Sequence, residues 1–380
     1  MSLKNITEAK DLKGKRVLVR LDLNVPIVDN KVGDDFRILA AMPMLTSLRE
    51  AGAKIVAISH IEGKGGESLK PVADYFAEKN VRVTFISEYF TDAAQTALDA
   101  MKEGDMVLFE NLRINKGEKE NDETFAKQLA AMGDVYVNEA FPVSHRAHAS
   151  IVGVPKFLPS FAGPTFMREV ENLSQAFTPD RPFLFILGGA KFDTKMPLIQ
   201  KFLKLADSVF VGGALANNFF KELGMEIGES LVSPGNFNLP EMLETKKVFV
   251  PSDAVVQSAE GSNEHVTKSI QEIGPKDKIW DAGAGSLVQL EELVNKSKFI
   301  LWNGPLGNYE EGFSEGTKKL AEIISASGAK SIVGGGDTVA AIQTLGLMDK
   351  FTFVSTGGGA MLDFLSAETL PGIDALKNSK

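Results

Sequence analysis

The sequence predicts an α/β protein made of two doubly wound, Rossmann-like parallel-sheet domains joined by a hinge helix. Three observations lead there. Short β-branched runs alternate with longer segments of helical spacing almost from end to end, the pattern of parallel sheets covered by helices. The chain has 380 residues, more than one ordinary domain and suited to two. A Pro- and Gly-rich stretch from Gly153 to Pro164 interrupts the alternation near the middle, and helical spacing follows it over Phe166 to Phe177, ending in Thr178-Pro179-Asp180. That helix reads as the connector.

In the first half, strands are expected at Val17 to Leu21, Lys54 to Ser59, Val81 to Ile86, Met106 to Phe109 and Val135 to Asn138. Helices fit between them at Ile38 to Ala51, Pro71 to Lys79, Thr91 to Lys102 and Asp122 to Met132. The second half repeats the scheme, with strands at Phe183 to Leu187, Ser208 to Val211, Val248 to Val250, Phe299 to Trp302, Ser331 to Val333 and Phe351 to Ser355. No short repeat indicates a solenoid.

Hydrophobic residues at 44% and charged residues at 24% give the balance of a globular chain. Cysteine is absent, which removes disulfides, thiolate metal sites and a cysteine nucleophile from consideration. The N-terminus is charged and lacks an apolar core, and no stretch approaches the roughly 18 apolar residues that span a bilayer, so the expectation is a cytoplasmic protein without a membrane partner. A net charge of -9 argues against nucleic acid as a partner, because that work needs a basic surface. Bound anions must therefore meet a few placed cations or helix N-termini.

Ligands of open α/β sheets bind beyond the carboxyl ends of the strands, and the two halves differ there. First-half strands are followed by polar and cationic groups: Asp22 and Asn24, His60, Arg113, then Asn138 with His145, Arg146 and His148. Second-half strands are followed by glycines: Gly188 and Gly189 with Lys191, Gly212 and Gly213, Asn303 and Gly304, Gly334 to Gly336, and Gly357 to Gly359. Side-chain cations suit a compact, highly charged anion, whereas glycine loops let backbone N–H groups approach a polyphosphate. One half thus suits a phosphorylated metabolite and the other a nucleotide.

The segment GGGDTVAAI, Gly334 to Ile342, places three glycines before a helix expected to begin at Asp337 or Thr338, where Asp337 takes a magnesium ion or caps the helix. No Walker loop and no properly placed dinucleotide fingerprint occurs. In LGGAKFDTK, Lys191 and Lys195 lie four residues apart, a spacing that lets them share a helix face beside a transferring phosphoryl group. HRAH, His145 to His148, has no third ligand at metal-site spacing, so Arg146 is the better anion clamp. GFSEG, Gly312 to Gly316, lacks the strand that a nucleophile elbow demands.

Taken in order, RLDLNVP (Arg20 to Pro26), DDFRI (Asp34 to Ile38), SH (Ser59-His60), SLKPVA (Ser68 to Ala73), ENLR (Glu110 to Arg113), NEAF and HRAHAS (Asn138 to Ser150), LGGAK (Leu187 to Lys191), WNGPLG (Trp302 to Gly307), GGGDT (Gly334 to Thr338), STGGGA and LPG resemble the phosphoglycerate kinase family over nearly the whole chain. The resemblance implies reversible transfer of the acyl phosphate of 1,3-bisphosphoglycerate to Mg-ADP, giving 3-phosphoglycerate and ATP. It implies a monomer with a phosphoglycerate-binding domain over residues 1–164, a nucleotide-binding domain over 165–365 that includes the connector helix, hinge closure between them, and a tail, 366–380, that packs back on the first domain.

By motif match, Asp22, Asn24, Arg37, His60, Arg113 and Arg146 would hold the phosphoglycerate. Lys195 would contact the nucleotide phosphates, Glu310 the ribose, and Gly335, Gly336, Asp337 and Thr338 the phosphate chain and its Mg2+. Arg37, Lys191 and Lys195 would neutralise the migrating group. The chain departs from the family pattern at SHIEGKGG, which lacks the arginine of S-H-L-G-R-P and leaves Lys64 to stand in for it; at NEAFP, where Glu139 replaces an aspartate; at FDTK; and at DAGAG, which lacks the proline of D-x-G-P. The lost arginine motivates an alternative, a non-catalytic member of the fold that binds nucleotide.

Overall fold

The computed structural model describes residues 3–63, 67–235, 237–258 and 264–380. Its residues cluster into two compact units, 1–171 with 367–380, and 172–366.

In chain order the first unit contains β1 (Arg16–Arg20), a hairpin of β2 (Ile27–Val28) and β3 (Lys31–Val32), α1 (Phe36–Glu50), β4 (Lys54–Ile58), α2 (Lys70–Glu78), β5 (Thr84–Ile86), α3 (Asp92–Asp99), β6 (Met106–Phe109), α4 (Lys116–Glu120), α5 (Glu123–Ala130), β7 (Val135–Asn138) and β8 (Ser160–Ala162). A helix, α6 (Pro164–Ser174), follows, and the division between the units falls inside it. The sequence-based boundary at 164/165 would have left the whole helix in the second domain.

The sheet order is β5-β6-β4-β1-β7-β8 with every pair parallel. The chain moves outward from β1 on one side, then returns to lay β7 on the other, so the strand order reverses between β1 and β7. Such a switch point leaves a crevice at the carboxyl ends of the two strands. Leu18, Val19, Val56, Ala57, Leu108 and Val137 are fully buried, as expected for strands covered on both faces.

The second unit runs β9 (Phe183–Leu187), α7 (Phe192–Leu205), β10 (Ser208–Val211), α8 (Leu215–Glu222), α9 (Leu239–Glu244), β11 (Val248–Phe249), β12 (Asp253–Gln257), β13 (His265–Ser269), β14 (Lys278–Ala282), α10 (Ala284–Lys296), β15 (Phe299–Asn303), α11 (Glu315–Ala326), β16 (Lys330–Gly334), α12 (Gly336–Thr344), β17 (Phe353–Val354) and α13 (Gly359–Ala367). Its main sheet, β11-β10-β9-β15-β16-β17, is also all parallel and switches between β9 and β15. The run FLFIL is buried at every residue, and Trp302 on β15 is fully buried with its indole N–H donated to Gly304 O at 2.9 Å.

The antiparallel sheet β13-β12-β14 was not expected from the sequence. Its middle strand, DAVVQ, does alternate in burial, but HVTKS is polar and largely exposed, so periodicity gives no signal for the second strand. The strand expected over Val81 to Ile86 begins only at Thr84, and that expected over Phe351 to Ser355 shrinks to two residues. Both lie at sheet edges, where one partner is missing and pairing ends sooner. The last helix, α14 (Pro371–Lys377), belongs to the first unit: Gly372 N donates to Ser144 O at 2.9 Å, and a Cβ on Gly372 would lie 2.7 Å from Ser144 Cβ. Among the described residues no helix is long and apolar enough to cross a membrane.

The start of α6 rests on Glu139. Its carboxylate accepts hydrogen bonds from Thr165 N at 3.1 Å and Phe166 N at 3.4 Å, the free donors of a helix N-terminus. Gly163 is required beside it, since a Cβ there would fall 1.9 Å from the carboxylate. Burial pushes the Glu139 carboxyl up to about 7 against the pull of these donors. A carboxyl raised on folding binds extra protons in the native state, so its stabilising contribution is complete below the unfolded value and lost as pH rises through about 7. The Glu139→Gln variant should lack this dependence, gaining up to about 3 kcal/mol relative to wild type between pH 4.5 and pH 8 in urea unfolding; parallel pH profiles for the two proteins would refute it.

Candidate active site

In the first unit the crevice beyond β1, β4, β6 and β7 collects cations. Arg20 ends β1 fully buried. Its Nε donates to Ser150 Oγ at 3.0 Å, Nη1 donates to Leu21 O, and Nη2 lies 3.0 Å from His60 Nδ1. A guanidinium only donates, so His60 Nδ1 accepts and the ring proton sits on Nε2. Burial, followed by the fields of Arg20, Arg113, Arg146 and Arg37, holds His60 far below the usual imidazole range. The ring is therefore neutral, and four arginines act on it together.

Ser150 links Arg20 to a fully buried acid, Glu118. Its hydroxyl donates to Glu118 Oε1 at 2.6 Å and its N–H to Glu118 Oε2 at 2.9 Å. His148 Nδ1 lies 3.9 Å from the same carboxylate. Burial and then Arg113, Arg146 and Arg20 lower His148 to about 4, so it too is neutral near pH 7. Arg37, on the first turn of α1, donates to Asp22 Oδ2 at 2.9 Å. Arg113 follows β6 with its side chain 4% exposed and ion-paired to Glu62 through Nη1; its Nε and Nη2 are buried without a partner among the described residues. Arg146 is exposed, with Nε 3.3 Å from His145 Nε2.

Around this cluster the polar residues brace loops. Glu110 accepts from Leu69 N and Asn111 N, each at 2.7 Å, and from Ser68 Oγ at 2.6 Å. Asn111 pairs with both backbone groups of Ile61, and Asn24 Oδ1 accepts Glu62 N at 2.8 Å. Lys64, expected to stand in for an arginine, lies outside the described residues. The HRAH segment gathers no metal site; among the described residues no group of three potential ligands forms one.

In the second unit a cavity of about 630 Å³ opens at the carboxyl ends of β9, β10, β15 and β16. Its floor is backbone. Gly188 N donates to Asn303 O and Gly189 N to Pro305 O, both at 2.9 Å, closing the β9/β15 switch. The approach is so close that a Cβ on Gly188 would lie 2.1 Å from Pro305 O. Gly335, with φ of +102°, caps α12, whose N-terminus opens into the cavity at Gly336 and Asp337. That helix starts one residue before the earlier of its two expected starts.

Lys191 and Lys195 do not share a helix face as expected. Lys191 is extended, at the cap of α7, and exposed, whereas Lys195 lies inside the first turns, 9% exposed. The glycine turn ends too late for the helix to include Lys191. Lys195 Nζ donates to Gly188 O, and burial lowers it to about 8 against the opposing field of Asp337. Thr338 is buried with its hydroxyl unpartnered among the described residues, and Glu310 is exposed on the cavity rim. Leu231, Ile279 and Trp280 form an apolar wall of the same cavity.

Comparison with known proteins fits this geometry. The phosphoglycerate kinase family profile matches residues 6–368. The chain belongs to the phosphoglycerate kinase family. A phosphoglycerate kinase of Dictyoglomus turgidum is 42% identical, with 100% of each chain covered. The solved phosphoglycerate kinase of Coxiella burnetii superposes with a TM-score of 0.88 at 35% identity over 100% of both chains. That of Pyrococcus horikoshii gives 0.85 at 30% identity, covering 99% of this chain and 98% of its own. The resemblance read from the ordered motifs is thereby borne out, as is the α/β parallel-sheet fold.

Sequence reading missed Arg20, Glu62, Glu118 and Ser150 as parts of the phosphoglycerate kinase cation cluster. An arginine closing the apolar strand RVLVR was a readable signal, because an unpaired charge is rarely fully buried. The contacts of Glu62 and Glu118 join segments distant in sequence, which no local pattern reveals. Gly188→Ala should force β9 and β15 apart, costing roughly 2–4 kcal/mol in chemical unfolding and weakening ATP binding by calorimetry. Unchanged stability and affinity would contradict the close approach described.

Proposed function

We propose that this member of the phosphoglycerate kinase family transfers a phosphoryl group reversibly between Mg-ATP and 3-phosphoglycerate, with phosphoglycerate held by the first unit and nucleotide by the second. One observation carries the reading. Four arginines act on a single neutral histidine, and two buried donor nitrogens of Arg113 have no partner among the described residues. Such a cluster is costly unless a multiply charged small anion completes it.

In this reading Asp22, Asn24, Arg37, His60, Arg113 and Arg146 bind phosphoglycerate. Arg20 supports them by holding His60 in one tautomer. Lys195, Gly335, Gly336 and Thr338 receive the nucleotide phosphates, Glu310 the ribose, and the apolar wall at Trp280 the base. Magnesium arrives as part of the nucleotide substrate. The half-buried Asp337 fits it, since this ion is commonly held by one or two carboxylates together with substrate phosphates. The chain acts as a monomer in the cytoplasm.

The chemistry needs no general base, because the attacking carboxylate of 3-phosphoglycerate is already ionised near pH 7. A carboxylate oxygen bonds to the γ-phosphorus as the bond to the bridging oxygen breaks, and ADP departs with that electron pair. Catalysis is then positioning and charge compensation, with Arg37, Lys191 and Lys195 supplying charge opposite the migrating group.

A coupled assay with 3-phosphoglycerate and Mg-ATP should show bisphosphoglycerate formation; folded protein without turnover would refute the reading. Arg37→Ala should lower kcat by roughly a hundredfold or more while changing ATP affinity little, and an equal loss in ATP affinity would contradict its role. Because Lys195 loses its charge above about 8, kcat/KM for Mg-ATP should fall as pH rises through that value. Lys195→Arg, which keeps its charge, should remove the fall, and an unaltered profile would count against Lys195.

A further inference from the structure

Arg113 and Glu62 form an unequal pair. The Arg113 side chain is 4% exposed and Glu62 is 45% exposed. The guanidinium is therefore the fixed partner and the carboxylate lies on the rim. Glu62 takes Nη1 of Arg113 and also meets Lys119 Nζ at 3.1 Å, so one carboxylate answers two cations. Burial alone would raise the Glu62 carboxyl, but hydrogen bonds from Lys119 and Arg113 outweigh it and hold the group below its usual range. It is ionised throughout the neutral region.

The remaining donors of Arg113 tell the other half. Among the described residues Nε and Nη2 carry no partner, and both are sealed from solvent, although a guanidinium fork suits the paired oxygens of a carboxylate or phosphate. An anion reaching Arg113 must open this arrangement, and it meets Glu62 already there, offering the same oxygen chemistry. The backbone of Glu62 is held independently, its N–H donated to Asn24 Oδ1 at 2.8 Å. The side chain can thus leave Arg113 without the loop being released from Asn24.

We propose that Glu62 is an internal competitor for the anionic group of the substrate, pairing with Arg113 and Lys119 in the free protein and displaced when a phosphorylated carboxylate binds. Glu62 therefore weakens substrate affinity. It offsets repulsion among the arginines of the empty site, and the substrate's own charge takes over that task on binding. The inference rests on the assignment of phosphoglycerate to the first unit.

The test is steady-state kinetics of Glu62→Gln and Glu62→Ala at fixed ionic strength, varying 3-phosphoglycerate and Mg-ATP separately. KM for 3-phosphoglycerate should fall about threefold to tenfold in both variants, with KM for Mg-ATP unchanged. Glu120, exposed on α4, serves as a charge control, and Glu120→Gln should leave KM for 3-phosphoglycerate within about twofold of wild type. A KM that rises or stays constant in the Glu62 variants overturns the proposal, as does an equal fall in Glu120→Gln. Calorimetric titration of wild type with 3-phosphoglycerate separates the two readings. Absence of binding defeats the assignment of substrate to this unit, whereas binding that Glu62→Gln does not tighten defeats only the competitor role.

Discussion

Like charges held close in a partly buried crevice are the constraint on which the first unit depends. Arg20, Arg37, Arg113 and Arg146 all act on His60, and their mutual repulsion must be met before any ligand arrives. The fold meets it with a few acids, each differently placed. Glu118, fully buried, reaches Arg20 through Ser150; Asp22 pairs with Arg37; Glu62 reaches Arg113 from the rim. The more buried the acid, the more permanent its assignment, because an unpaired buried charge is far costlier than an exposed one. Burial thus grades these acids from structural partner to replaceable one.

In the proposed reading, the second unit meets negative charge by a different means. Its cavity is lined by main chain at Gly189, Gly213, Gly304, Gly335 and Gly336, with Lys195 as its buried cation. Backbone donors carry no net charge, so they need no compensating acids when the cavity is empty. Their cost is conformational and steric. Glycine is required where β9 and β15 approach, and a helix must begin at the cavity edge for its dipole to act. Desolvation of Lys195, only partly relieved by Asp337, leaves electrostatic strain at this cavity.

Much of the fold was legible because both main sheets are built from runs buried on each face, such as FLFIL and VYVN. These leave a signal independent of tertiary context. The antiparallel sheet was not legible, since β13 is polar and exposed and its pairing is specified by neighbours. The candidate site divides the same way. Residues in the segments that follow strands, including Asp22, His60, Arg113, Gly188 and Gly335, could be nominated as candidates from position alone. The contacts that brace the cluster behind them, including Glu118 to Ser150 over 32 residues and Arg20 to Ser150 over 130, arise only when the sheet assembles. The expected pairing of Lys191 with Lys195 failed because spacing was read as helix where the glycine turn still governs the backbone.

The central claim assigns one ligand chemistry to each unit: side-chain cations for a compact anion, and backbone amides for a polyphosphate. Amide hydrogen exchange with each ligand added singly addresses it directly. With 3-phosphoglycerate alone, added protection should fall in residues 20–24, 59–62, 110–113 and 138–150; with Mg-ATP alone, in residues 188–195, 212–217, 303–310 and 334–338. Protection of the glycine segments by 3-phosphoglycerate alone, or of the arginine segments by Mg-ATP alone, would contradict the division of labour.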